Sequence, residues 1–341
     1  MSNRIVVHNA TTDKNLIFRK IRVKKSLDEI CHSLEMELAS SEFGKIHKHD
    51  KIEVRFVNPF MRDSIAAGGR RVTTVLVDEV TQNADVGKHA LSVIGRSPAR
   101  DIIDSTWSGV CADMTLRELT RYIGKRFGIW CDTFPTDQPD MTGLVKAFSW
   151  ENESPWSKLI GECDNQGYIF TSNEAGNLYL WKVASGLRGE GFHITEGDNI
   201  RNISWTERGA EQFHEYIVTG ASNETSVIDN SCRGNRILTI DITNPLISKT
   251  ELERRAKTEM QRRKENHTTV TVSGWGLSDE QIKKLGETIR KEIFWNPNFL
   301  IPVRIPSLQL RANLLISEVE YMADEASVSC NLVLVNREAY L

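Results

Sequence analysis

No segment of this 341-residue chain approaches the run of roughly 18 apolar residues that a membrane-spanning helix needs, so stable membrane insertion is not expected. The opening residues, MSNRIVVHNATTDKN, lack the apolar core of a secretory signal. Asn9 and Asn223 each begin an N-x-Thr triplet but are therefore not expected to carry glycans. Cysteine is scarce. Its six copies, Cys31, Cys111, Cys131, Cys163, Cys232 and Cys330, form no C-x-x-C pair, which suits reduced thiols in a protein made in the cytoplasm. Charge of one sign is missing too. With 43 basic and 46 acidic residues the net charge is −3, so no global field recruits nucleic acid or an anionic membrane.

Catalytic signatures are equally sparse. There is no G-x-S-x-G elbow and no H-E-x-x-H. Gly186-Leu-Arg-Gly189-Glu-Gly191 has the glycines of a phosphate-cradling loop, but no GK[ST] follows and the next residues are strand-like. It reads as a flexible link. His47-Lys48-His49-Asp50 is the best metal candidate, because residues i and i+2 on a strand share a face. No second His or Cys pair lies nearby, and a solvated strand end before Lys51 is the plainer reading. Cys163 falls on the apolar stripe of a helix and reads as a small core residue. Among 46 acidic residues, pairs at glycosidase spacing are inevitable, and none sits in a run suggesting a desolvated cleft. The catalytic, cofactor-binding and metal residues are expected to be none.

What the chain does contain is β structure, interrupted. Its length indicates two to four domains, since single cores rarely outgrow roughly 250 residues. An apolar content of 40% with 26% charged residues is ordinary for a soluble protein. Residues 1–97 read as short strands at Leu16–Val23, Leu34–Ala39, Lys51–Val57, Val72–Thr81 and Lys88–Gly95, with a turn at Asn83-Ala84-Asp85 and an extended loop at Asn58–Arg71. From Ser97 the period changes. Thr115-Leu-Arg-Glu118 is a capping box ahead of Leu116, Leu119, Tyr122 and Ile123, and Gly128 stands where a helix ends. Ser154-Pro155 opens a second helix that carries Leu159, Ile160 and Cys163 inward and stops at Gly167. Each helix leads into an extended segment, a loose internal repeat, and Asn173–Asn177 is the turn of a hairpin.

Strands return at Ile200–Thr206 and Tyr216–Gly220. A charged helix follows from about Thr250 to Asn266, with Glu251/Arg255 and Glu253/Lys257 at i,i+4. Its basic residues Arg254, Arg255, Lys257, Arg262, Arg263 and Lys264 alternate with acidic ones, a solvated face and not a nucleic-acid surface. After a strand at Thr268–Ser273, a second capping box at Ser278–Gln281 precedes Ile282, Leu285, Ile289 and Ile293. The tail is β again at Ile301–Ile305, Leu314–Tyr321 and Ser327–Asn336. Strands and helices do not alternate throughout, which excludes a doubly wound fold. The reading is α+β, mainly β. Trp150, Trp156, Trp181, Trp205, Trp275 and Trp295 fall mostly at element boundaries, where tryptophan serves either core packing or interfaces.

The hairpin at 72–95 runs directly into GRSPARDIID (95–104). This corner resembles the baseplate hub proteins of contractile-tailed phages, especially the Mu-like branch, which are similar to phage late-control proteins and to the N-terminal part of secretion-system spike proteins. SWENESPWSKLI (149–160), the hairpin at 167–184, WNPNFLIPVR (295–304), LLISEV (314–319) and the closing NREAY (336–340) carry the same resemblance. The resemblance implies two similar β-barrel domains joined by α+β segments: a first barrel over 1–97, an α+β domain over 98–197, a second barrel from 198–240 and 300–341, and an inserted helical α+β segment over 241–299.

It further implies a homotrimeric ring in the tail baseplate, assembled in the host cytoplasm. One face would meet the hexameric tail tube and the other the trimeric membrane-piercing spike, beside other baseplate proteins. The chain stops at Leu341, just after the last expected barrel strand, so the spike is expected to be a separate protein. An oligomer of this kind covers strand edges. The tip Gly68, Gly69, Arg70 and Arg71 is the expected contact to the tube or a neighbouring subunit. The alternative is a tail-associated cell-wall-degrading enzyme or glycan-binding module, which two converging carboxylates or a platform of stacked aromatics would favour.

Overall fold

The alternation at Val72–Thr81 extends further in both directions than expected. The computed structural model describes residues 5–57, 69–85, 88–133, 144–145, 147–184, 186–187, 189, 191–207, 209–242, 247–264, 267–278, 281–282 and 293–341. Its first part comprises β1 (Ile5–Asn9), β2 (Lys14–Leu16), β3 (Phe18–Ser26), β4 (Ser33–Leu38), β5 (Lys51–Phe56), β6 (Arg70–Asp85) and β7 (Lys88–Arg96). The sequence reading missed β1, although IVVHN buries Ile5, Val7 and Asn9. Two corrections concern β6. Arg70 and Arg71 belong to the strand and not to the loop, and Asn83, Ala84 and Asp85 continue it, with Asp85 paired to Lys88. The β-branched run VTTVLV favours extension, and cross-strand pairing carries it past the polar residues.

A short helix α1 (Arg100–Asp104) follows, then β8 (Trp107–Cys111), β9 (Met114–Thr115), α2 (Leu116–Arg126), β10 (Cys131–Thr133), β11 (Leu144–Val145), β12 (Phe148–Glu153), α3 (Pro155–Gln166), β13 (Ile169–Ser172) and β14 (Leu178–Trp181). Both expected caps form. Thr115 and Glu118 make the reciprocal capping box, while Ser154 accepts from Trp156 N and Gly167 ends α3 with φ +70°. The two helix-glycine-extended segments meet in one small sheet of order β10-β14-β13. Leu116, Leu119, Ile123, Leu159 and Cys163 close its core.

The remaining elements are β15 (Ile194–Thr195), β16 (Ile200–Thr206), β17 (Glu215–Thr219), β18 (Glu224–Ile228), β19 (Ile237–Asp241), α4 (Lys249–Lys264), β20 (His267–Ser273), β21 (Leu300–Ile305), β22 (Leu310–Asp324) and β23 (Val328–Val335). Here the pairing departs from expectation. β17, expected in the second barrel, pairs with β18 and β19 in a separate sheet. Its alternate residues Tyr216 and Val218 bury against Leu252 and Ala256 of α4, so this unit has its own core. β20, expected within the inserted segment, lies between β16 and β23. Val270 and Val272 there join the main core.

Thirteen strands form the main sheet, whose path runs β16-β20-β23-β22-β3-β4-β7-β6-β5-β1-β2, with β21 and β15 branching from β22. Among the described residues the path is open, ending on β16 and β2. β22 is the pivot. Before the bulge between Ile316 and Glu318 it pairs with β21, and after it with β3, register Glu318↔Ser26 to Asp324↔Lys20. A bulge re-aims a strand in this way. One apolar core therefore spans both halves of the chain. No helix among the described residues is long and apolar enough to cross a membrane.

Candidate functional site

The GRSPARDIID corner is a joint, and its charges are spent on holding it. Arg96 donates to Asp78 Oδ2 at 2.8 Å and to Asp104 Oδ2 at 2.6 Å. These bonds raise the Arg96 guanidinium further above its ordinary pKa, and the bond from Arg96 holds the Asp104 carboxyl down. The buried Arg100 reaches the same Asp78 and donates to Leu76 O at 3.2 Å. Ser97 Oγ accepts from His32 N at 3.2 Å and lies 2.9 Å from Ser172 Oγ. Pro98 sits beneath the hairpin turn. A Cβ at Gly176 (φ +82°) would lie 2.5 Å from Pro98 Cδ, so glycine there permits the close approach. The corner thus clamps the end of the β6–β7 hairpin to the β13–β14 hairpin.

A second clamp explains WNPNFLIPVR. Asn298 is buried with φ +66°. Its side chain accepts from Ala184 N at 2.8 Å and donates to Lys182 O at 3.0 Å, fixing the segment after β14 onto the strand that becomes β21. Neither clamp presents a free nucleophile or a cleft of converging carboxylates.

The metal candidate does not assemble. Asp50 turns inward to accept from Asn9 Nδ2 at 2.8 Å and His47 N at 2.9 Å. His49 Nδ1 lies 3.3 Å from the Arg100 guanidinium, and a fixed cation disfavours a metal there. Among the described residues no three His, Cys, Asp or Glu side chains group as ligands. Cys163 is fully buried, and burial pushes its thiol well above the ordinary value, as suits a core residue. Gly189 (φ +89°) packs so that a Cβ would lie 2.7 Å from Phe299 Cδ2. Arg188 and Glu190 of that loop lie outside the described residues.

Of the expected contact tip, Gly68 also lies outside the described residues. Gly69 is buried with φ +104°. Arg70 opens β6 with its guanidinium 6.0 Å from the Phe294 ring centre, and Arg71 pairs with Glu53 at 3.0 Å. The structure brings Gly69, Arg70 and Arg71 to the wall of the sheet beside Phe56. On α4, Arg263 and Lys257 bond Glu259 and Glu253, each at 2.6 Å. Arg255, expected opposite Glu251, pairs instead with Glu259 at 3.4 Å and Asp164 at 3.7 Å.

The tryptophans divide. Trp150, Trp275 and Trp295 are core residues, whereas Trp205 is 49% exposed on the edge strand β16. With Leu308, Leu310, Leu314 and Leu334 it lines a groove of about 380 Å³ at the open end of the sheet. Sequence reading could not find this groove, because Trp205 and Leu308 meet only through the fold. Trp130, not singled out in the sequence, is 66% exposed.

No protein-family model matches the sequence, and no curated protein matches it. Solved structures do. The chain is similar to the 43 kDa tail protein of prophage MuSo2 from Shewanella oneidensis, with 21% identity, a TM-score of 0.77 and 99% of each chain covered. It is similar to the tail protein from Neisseria meningitidis MC58, with 14% identity and TM-score 0.77, over 99% of this chain and 97% of that one. A third likeness is to the E. coli c3393 protein, described as a type VI secretion component structurally similar to T4 tail proteins gp27 and gp5. There the identity is 8% and the TM-score 0.57, over 94% and 73% of the two chains. Along essentially its whole length, this chain has the fold of these two tail proteins.

Proposed function

We propose that this chain is a structural baseplate hub of a phage or prophage contractile tail: a homotrimer whose ring adapts a hexameric tail tube to a trimeric spike. The observation that carries the reading is end-to-end coverage at TM-score 0.77 with the prophage tail protein, together with the resemblance of the GRSPARDIID corner. The ring model casts β1–β7 as one barrel and β15, β16 and β20–β23 as the other, with the β17–β19 and α4 unit inserted. Closure and edge protection then fall to neighbouring copies, since among the described residues β16 and β2 end an open path. In this reading the chain acts in the virion tail after assembly in the host cytoplasm and turns over no substrate. Gly69, Arg70 and Arg71 are the proposed contact residues.

Light scattering of the purified protein across a tenfold concentration range tests this. The expected species is a trimer, three times the 38.7 kDa chain, about 116 kDa. A monomer at every concentration overturns the obligate trimer.

A further inference from the structure

We propose that Lys25 and Asn296 form an intramolecular isopeptide bond, with Glu174 as the proton carrier. Lys25, on β3, is 3% exposed, with Nζ 3.3 Å from Asn296 Oδ1 and 3.8 Å from Glu174 Oε1. All three side chains line one small cavity of about 80 Å³ where β3, the β13–β14 turn and the segment before β21 meet. The Tyr321 ring centre lies 5.5 Å from Nζ, and Trp181 and Phe299 share the lining with His32, Thr171 and Ser172.

The amine, the amide and the carboxylate of an amide exchange are in place. Burial drives the Lys25 amine toward its neutral, nucleophilic form, opposed in part by Glu174. Tyr321 donates its one hydroxyl proton to Trp295 O, which anchors the backbone next to Asn296, and its oxygen lies 3.4 Å from Asn296 Oδ1. Burial also pushes the Tyr321 phenol well above its ordinary value, keeping it a donor. Residue 297 is proline, which has no backbone N–H, so the backbone cannot compete for the Asn296 carbonyl by ring closure.

The step balances without a co-reactant. The Lys25 Nζ lone pair adds to Asn296 Cγ, and Glu174 takes a proton from the attacking nitrogen and delivers it to Nδ2. The Cγ–Nδ2 bond breaks, ammonia leaves, and Glu174 regains its starting form. Glu174 is 46% exposed on its side chain, which gives the ammonia an exit. The product joins positions 271 residues apart, fastening the first β half to the second. This chemistry runs once per chain and is distinct from turnover on a substrate.

The test is intact mass under denaturing conditions on the full-length protein, with K25R from the same host as reference. The wild type should be lighter than its sequence mass by one ammonia, about 17 Da, and its tryptic digest should contain one species joining the Lys25 and Asn296 peptides. Full sequence mass after prolonged incubation of folded wild type overturns the proposal. So does a loss of ammonia with no joined peptide, because ring closure elsewhere sheds the same mass. Folded E174Q should keep its full mass, and a bond formed in E174Q at the wild-type rate removes Glu174 from the mechanism.

Discussion

Lys24 and Lys25 are consecutive residues on β3, yet they live in opposite worlds. Strand alternation sends Lys24 outward, where it meets Glu29 at 3.0 Å and Glu318 at 3.1 Å, and Lys25 inward to the small cavity. The contrast extends across the whole seam between the two halves of the chain. On the inner face, Leu34, Val23, Tyr321, Cys330 and Val272 lie in register across five strands and are almost wholly buried. On the outer face, Arg22 meets Glu35 at 3.8 Å and Glu320 at 3.1 Å. The inner row carries the apolar burial across these strands, and the outer row pairs charges across them. Removing a non-polar group costs transfer and cavity free energy, whereas an exposed ion pair in water is nearly balanced by solvation and side-chain entropy.

The largest effect should therefore come from the inner row. Leu34→Ala is expected to cost about 4 kcal/mol, read from urea unfolding as a lower midpoint with little change in slope. If Leu34→Ala costs no more than an outer-face substitution, the contrast between the faces is broken.

How much of this seam was legible beforehand follows from its range. The β6–β7 hairpin, the Thr115 capping box and the Ser154-Pro155 helix start are local, and residues a few positions apart determine them. The box at Ser278 also forms, Ser278 N donating to Gln281 Oε1 at 2.8 Å and Gln281 N to Ser278 Oγ at 3.2 Å. The β3–β22 pairing joins Lys24 to Glu320, and nothing in either strand names the other. For the same reason β17 and β20 exchanged places relative to the sequence reading, since both alternate correctly and only tertiary partners separate them. The cavity around Lys25 draws on three distant segments and was invisible, even though the WNPN motif had been noted. The GRSPARDIID corner was legible as a motif but not as a clamp, because Asp78 and His49 reach it through the fold.

A medium effect should come from pH through a residue of the inner side. His32 is buried, Nδ1 3.0 Å from Thr73 Oγ1. Burial, the largest cause, holds its pKa well below 6.5, a backbone hydrogen bond at Ser172 working the other way. The folded ring thus stays neutral where the unfolded one takes up a proton. His32 leaves stability unaffected above about pH 6.5, and stability is lost as pH falls below that value toward the folded pKa, by up to about 1.4 kcal/mol per pH unit. Urea midpoints at pH 7.5 and 5.5 should differ in the wild type and differ less in His32→Asn. An equal pH dependence in both proteins would assign the loss to other groups.

The smallest effect belongs to the outer row. Burial pulls the Lys24 ammonium down, but hydrogen bonds to Glu29 and Glu318 and their charges together raise it, so it stays charged at neutral pH. Its side chain and that of Glu318 are both about a third exposed, and a pair of that kind contributes about 0.2–1 kcal/mol, less in high salt. Lys24→Met should therefore shift the urea midpoint only slightly, and the difference from wild type should shrink as sodium chloride is raised. A loss comparable to Leu34→Ala would mean that the ladder of Arg22, Lys24, Glu318 and Glu320 acts as one network. The two halves of the chain would then be held together from both faces of the sheet.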